Sequence, residues 1–141
     1  MALLQLPVVS DRLVSARDFA FIERLWRKWS PGFDPGQDYF DELKLCLGSS
    51  LPAPLRYYRS LLSPAAVRQI RQTLLAGPIV VPTLYLHGER CGCIGPELCT
   101  GQTAHFSAMF EQLILADAGH FVHLERPSEV GSAIVRWFDA H

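Results

Sequence analysis

No stretch of the 141-residue sequence stays apolar for the length of a membrane span, so no spanning helix is expected. A charge excess of either sign is also missing. The 13 Lys and Arg stand against 14 Asp and Glu with no basic run, which removes the electrostatic footprint of a nucleic-acid or anionic-membrane binder. A leader peptide is not expected either, because the briefly apolar Met1-Ala2-Leu3-Leu4 lacks a basic n-region and Pro7 cuts it short. Cysteine is scarce: Cys46, Cys91, Cys93 and Cys99. Without a secretion signal these read as reduced thiols in the cytoplasm rather than as a disulfide framework. There is no internal repeat and no low-complexity segment. What remains is an apolar fraction large enough to fill a core, in a chain of single-domain size.

In chain order, Pro7 breaks an apolar start, so residues 1 to 14 are expected to be extended or irregular. Ser15 has the character of an N-cap, with Asp18 in the first turn of a helix that carries Phe19, Ile22, Trp26 and Trp29 on one face. Turn residues from Ser30 to Gly36 form a loop. A helix is expected over about residues 37 to 47, ended by Gly48. Pro52 and Pro54 open a short helix through Tyr57, Tyr58 and Leu61. Ser63-Pro64 caps the next, with Val67, Ile70 and Leu74 on its buried stripe and Gly77-Pro78 closing it.

Chemistry concentrates between Pro82 and His123. Ile79 to Leu86 is a β-branched and aromatic run stopped by Gly88, and Gln112 to Leu115 is a shorter one stopped by Asp117-Ala118-Gly119. Apolar runs without alternation suit parallel strands buried on both faces. A polar helical spacer should join them, and a last helix opened by Pro127 should bury Val130, Ile134, Trp137 and Phe138.

This layout resembles the C-terminal end of the α/β-hydrolase fold. In that family the loop after the second-last strand carries the catalytic acid as G-x-x-D, and the loop after the last strand carries the histidine as A-G-H-F. Ala118-Gly119-His120-Phe121 matches the second signature, whereas Gly88-Glu89-Arg90-Cys91 puts a thiol at the acid position. The resemblance implies an α/β class with a partial hydrolase fold. Residues 1–77 would be a helical lid, or cap, and residues 78–141 the closing β-α-β-α of a parallel sheet. Within the lid, Arg56-Tyr57-Tyr58-Arg59 resembles the N-W-Y-R segment of epoxide hydrolases and related dehalogenases, which implies that Tyr58 donates a hydrogen bond to the epoxide oxygen. Packing in a short amphipathic helix is the alternative for both tyrosines. Gln5-Leu6-Pro7 resembles the start of the family's lid, with Leu3 where an aromatic residue stands.

The family's nucleophile sits on a sharp strand-to-helix turn that precedes the lid. Gly32-Phe33-Asp34-Pro35-Gly36 fits the literal pattern of that turn but follows an amphipathic helix, and Pro35 has no N–H to offer an oxyanion. Gly48 to Pro52 ends in proline where the second glycine belongs. With no elbow, the chain is expected to be a truncated or split hydrolase, silent unless an N-terminal half supplies the nucleophile.

His120 has the chemistry of a general base but needs an acid to fix its tautomer. Cys91 can act so only as a thiolate, and a reference pKa of about 8.5 requires a cationic neighbour, for which Arg90 is adjacent. Glu89 is an alternative acid aimed elsewhere, and Asp117 lies at the apex before the histidine without a catalytic task.

Two further readings compete with the partial hydrolase. One is a non-enzymatic module that binds a small apolar ligand or a partner protein. The other is a thiol or metal protein built on His87, Cys91, Cys93 and Cys99, although their spacing is not that of structural zinc. No cofactor and no metal are implied by the resemblance. Without an N-terminal half, the apolar strand Ile79 to Leu86 would leave an open edge and invite self-association.

Overall fold

A computed structural model describes residues 7–60 and 63–140, without the side chains at positions 7–9 and 74. The match at Leu3 and Gln5-Leu6 and the expected roles of Leu61 and Leu74 therefore lie outside the described residues. The chain is mixed α/β and divides into two compact units, residues 1–25 with 35–76 and residues 26–34 with 77–141. Trp26–Asp34, which the sequence groups with the helical first half, belongs to the second unit.

The first unit is helical. Helix α1, Pro7–Trp29, whose last residues from Trp26 belong to the second unit, begins earlier than expected, and the prediction of an irregular start fails from Pro7 onwards. Proline opens a helix without loss, because the first-turn N–H has no intrahelical acceptor to find. Ser15 is consequently not an N-cap; its hydroxyl donates back to the Asp11 carbonyl at 2.9 Å. The helical path breaks at Ala16, and Arg17, Asp18 and Phe19 all take left-handed dihedrals before it resumes. Such residues cost about 1–2 kcal/mol each. Lys44 meets Asp18 at 2.9 Å and Glu23 at 2.7 Å, one carboxylate on the break and one beyond it.

Helix α2, Gln37–Ser50, runs through Gly48 rather than stopping there. Its terminator is Pro52, which disfavours helical dihedrals at Leu51 and leaves that residue extended. Helix α3, Ala53–Ser60, buries Leu55, and Arg59 on it reaches Ser10 and Asp11. Helix α4, Pro64–Leu75, is capped as expected, the Ser63 hydroxyl accepting the Ala66 N–H at 3.1 Å. Its expected buried stripe is not buried: Val67 and Ile70 are exposed. Among the described residues no helix or strand packs closely along α4 to cover them.

The second unit holds the sheet. Strands β1 (Thr83–Gly88) and β2 (Phe110–Leu115) pair in parallel, with Thr83 opposite Phe110 and Gly88 opposite Leu115. β1 is shorter at its start than Ile79 to Leu86, since Ile79 makes one isolated bridge to Phe106 and Val80 and Val81 stay exposed. The expected helical spacer is instead two 3-10 turns, Pro96–Cys99 and Gln102–His105. Gly101 stands between them with φ of 75°, a conformation that no helix carries through.

Burial on both faces is likewise not found. Glu111, Gln112 and Ile114 are exposed, and burial is confined to the C-terminal ends of the strands at His87, Gly88 and Leu115. Helices α5 (Val122–Glu125) and α6 (Pro127–Ala140) follow. Leu115, Ala118 and Val130 form the centre of the core, with Leu86, Leu113 and Val122 against it.

Along α6 the buried residues are Val130, Ala133 and Trp137, while Ile134 and Phe138, expected inside, are exposed. A sheet of two strands is too narrow to cover a wider apolar stripe. This difference sets a stability test. Trp137→Ala should cost about 3–5 kcal/mol, as for a large buried aromatic. Phe138→Ala should stay within about 0.5 kcal/mol of the parent. Urea titration of the two variants measures both.

Candidate active site around His120

The two strands end side by side, and the loops that leave them cross. Cys91 follows β1 by a tight turn in which its N–H bonds the Gly88 carbonyl at 3.1 Å. β2 leads into a turn at Asp117, which has φ of 54°, and then into Ala118-Gly119-His120-Phe121. Backbone bonds run from Glu89 N–H to the Leu115 carbonyl at 3.0 Å and from Arg90 N–H to the Ala118 carbonyl at 2.8 Å. A Cβ on Gly88 would lie 1.9 Å from the Gly119 carbonyl oxygen, so the crossing admits glycine alone.

This crossing brings together two of the three residues singled out from the sequence. Cys91 Sγ lies 3.2 Å from His120 Nδ1, and Cys91 is buried. Ile94 N–H points at the same sulfur at 3.5 Å. Tyr58 is in the other unit, on α3, with its ring edge-on to Tyr57 at 5.6 Å. The remaining candidates have other tasks. Arg90 donates to Asp117 at 3.2 Å and to the Pro31 carbonyl at 2.8 Å, so its guanidinium is engaged away from Cys91. Glu89 accepts the Asp117 N–H at 3.3 Å, aimed at the turn and not at the imidazole. Among the described residues no three His, Cys, Asp or Glu side chains converge as a metal-ligand set would.

The His120 loop is also held by residues that sequence reasoning does not select. The His120 N–H is shared between the Trp29 carbonyl and the Ser30 hydroxyl, each at 3.0 Å. Ser30 Oγ also accepts the Phe121 N–H at 3.2 Å, and the Glu125 carboxylate accepts from Gly119 at 2.7 Å and Phe121 at 3.2 Å. Trp26 stacks on Phe121 with ring centroids 3.8 Å apart. A Cβ on Gly119 would come within 2.5 Å of Ser30 Cα. Glu125 has a faint signal: an acid one turn into a helix can reach back to the amides that precede it, as in a capping box. Ser30 has none, since 90 residues separate it from His120.

Burial lowers the His120 pKa, with the neighbouring His87 adding to the effect and Glu125 opposing it. The imidazole is therefore neutral at neutral pH, as a base must be. Its partner differs in kind from a carboxylate. A carboxylate only accepts, so it fixes the proton on Nδ1 and leaves Nε2 as the base. A thiol carries a proton of its own and can impose the opposite arrangement.

The lowered pKa has a stability consequence of definite sign. As pH falls, the unfolded chain takes up the proton first, at about 6.5. His120 thus subtracts stability progressively as pH falls from there to its folded-state pKa, keeps the full subtraction below it, and contributes nothing well above about 6.5. An NMR titration should place the His120 midpoint below 6.5, the ordinary value. Denaturant melts of His120→Gln should show less loss of stability than the parent over the same acid range.

No family model matches the chain. It is similar to epoxide hydrolase 3 of Xenopus tropicalis, with 27% identity over 143 aligned residues. That alignment covers 94% of this chain but 36% of the frog protein, so the chain spans about a third of the relative's length. The similarity supports a distant relationship to an epoxide hydrolase.

Proposed function

We propose that these residues are the lid and the histidine arm of an epoxide-hydrolase-like site on a partial α/β-hydrolase fold, with a small apolar substrate. The nucleophile comes from outside the 141 residues, either from a longer chain or from a partner that carries the elbow. The observation that carries the reading is the position of Cys91 Sγ, 3.2 Å from His120 Nδ1 at the ends of adjacent parallel strands. In this reading Cys91 stands where the group that orients the imidazole belongs, and the ends of parallel strands are where such sheets hold their ligands. The frog relative's name points to the same chemistry. Tyr58 is the lid donor in this reading. Four free thiols suit the reducing cytoplasm.

In this reading the 141 residues alone do not hydrolyse. No G-x-[nucleophile]-x-G turn with oxyanion donors is present to act with His120, and such groups work as a unit. Assays on epoxides and activated esters should give rates equal to buffer. A robust activity lost in His120→Ala would overturn the reading. With a nucleophile-bearing half bound, Cys91→Asp should raise the rate, by up to about four powers of ten on the precedent of triad carboxylates. An assembled complex in which this substitution changes nothing would remove Cys91 from the acid position.

A second part of the proposal concerns association. Among the described residues β1 has a partner strand on one edge, and the exposed Ile79, Val80 and Val81 lead into it. An open parallel edge beside apolar surface is a template for another strand. The chain without its other half should self-associate through Ile79 to Leu86. Sedimentation at tens of micromolar checks this, and a stable monomer would show the edge to be covered.

A further inference from the structure

Cys91 and His120 do not stand alone; they end a hydrogen-bonded series whose direction is fixed at one point. His87 is buried, and its Nε2 lies 3.1 Å from the Ile94 carbonyl. A carbonyl can only accept, so Nε2 must carry a proton. In the neutral ring Nδ1 is then an acceptor, and the Tyr85 hydroxyl, 2.9 Å away, donates to it. With its proton so committed, the Tyr85 oxygen accepts from Cys99 Sγ at 3.3 Å. Residue Ile94 is thus gripped through its carbonyl by His87, while its N–H, which can only donate, points at Cys91 Sγ.

This decides where the thiol proton of Cys91 goes. Among the described residues Sγ has two hydrogen-bond partners, the Ile94 N–H and His120 Nδ1. If Nδ1–H donated to sulfur, Sγ would face two donors and the buried S–H would have no acceptor. If S–H donates to Nδ1, every group at the sulfur is satisfied, as buried polar groups usually are.

We propose that Cys91 holds His120 in the Nε2–H tautomer, so that the ring presents a hydrogen-bond donor at the site instead of a base. The class of ligand this suits is a hydrogen-bond acceptor, such as an epoxide or carbonyl oxygen or a carboxylate. Tyr85 and His87 act as positioning residues, one step removed, by fixing Ile94 beneath the sulfur. Hydrolysis by His120 is then blocked by its tautomer as well as by the absence of a nucleophile. That catalytic consequence rests on the hydrolase-like reading above, whereas the tautomer assignment stands on the geometry alone.

The experiment is a long-range proton–nitrogen correlation spectrum of the neutral imidazoles in the 141-residue chain, with His120 assigned by the signal lost in His120→Gln. The expected result is a protonated Nε2 and an unprotonated Nδ1. Cys91→Asp should exchange the two, and Cys91→Ala should leave both tautomers populated. A parent chain with its proton on Nδ1, or with an equal mixture, overturns the proposal, whether or not the variants fold. The readout is independent of turnover. A confirmed tautomer in a chain that proves active would sink the functional reading alone.

Discussion

The crossing of two backbones at Gly88 and Gly119 is the constraint on which the rest of the second unit depends. The loop after β2 lies so close to the end of β1 that Gly88 cannot acquire a side chain without moving backbone, and Gly119 is held against Ser30 in the same way. That closeness lets Arg90 and Glu89 bond into the opposite loop through their main chains, and it sets Cys91 against His120. Overpacking a contact of this kind typically costs about 1–3 kcal/mol. The site is thus a product of main-chain packing first, and the side chains occupy positions already defined.

Around the crossing lies a layer of polar satisfaction. Gly119, His120 and Phe121 present three successive N–H groups, and all three find acceptors in Ser30, Trp29 or Glu125. A loop whose amides were left unpaired in this half-buried setting would cost free energy for each orphan. The imidazole inherits a fixed orientation from its own backbone, while its protonation is left to the environment. Burial keeps it neutral, and the choice between its two nitrogens falls to the thiol.

The C-terminal loop and the identity of its neighbour are legible in the sequence, because both are short motifs that directly follow strands. Cys91 can be placed by counting from Gly88, with no knowledge of the packing. Ser30 cannot, since its role comes from a contact 90 residues away that no local pattern encodes. The helices are legible in kind but not in extent. Pro7 has the character of a breaker yet opens α1, and Gly48 that of a stop when the true stop is Pro52. Periodicity overstates burial at Val67, Ile70, Ile134 and Phe138 for one physical reason. It says which residues share a helix face, but not whether another element exists to cover that face.

Burial along the strands runs in one direction, from the exposed Val80 and Val81 to the enclosed His87, Gly88 and Leu115. Local opening of a protein follows such gradients, starting where few apolar contacts hold the backbone. The paired strands will therefore fray from the Thr83 end while the crossing stays closed. Amide protons of Arg90, Cys91 and His120 would outlast those of Thr83 in exchange with solvent. The imidazole and its thiol belong to the last portion of this unit to come apart, so loss of the site reports unfolding of the unit as a whole.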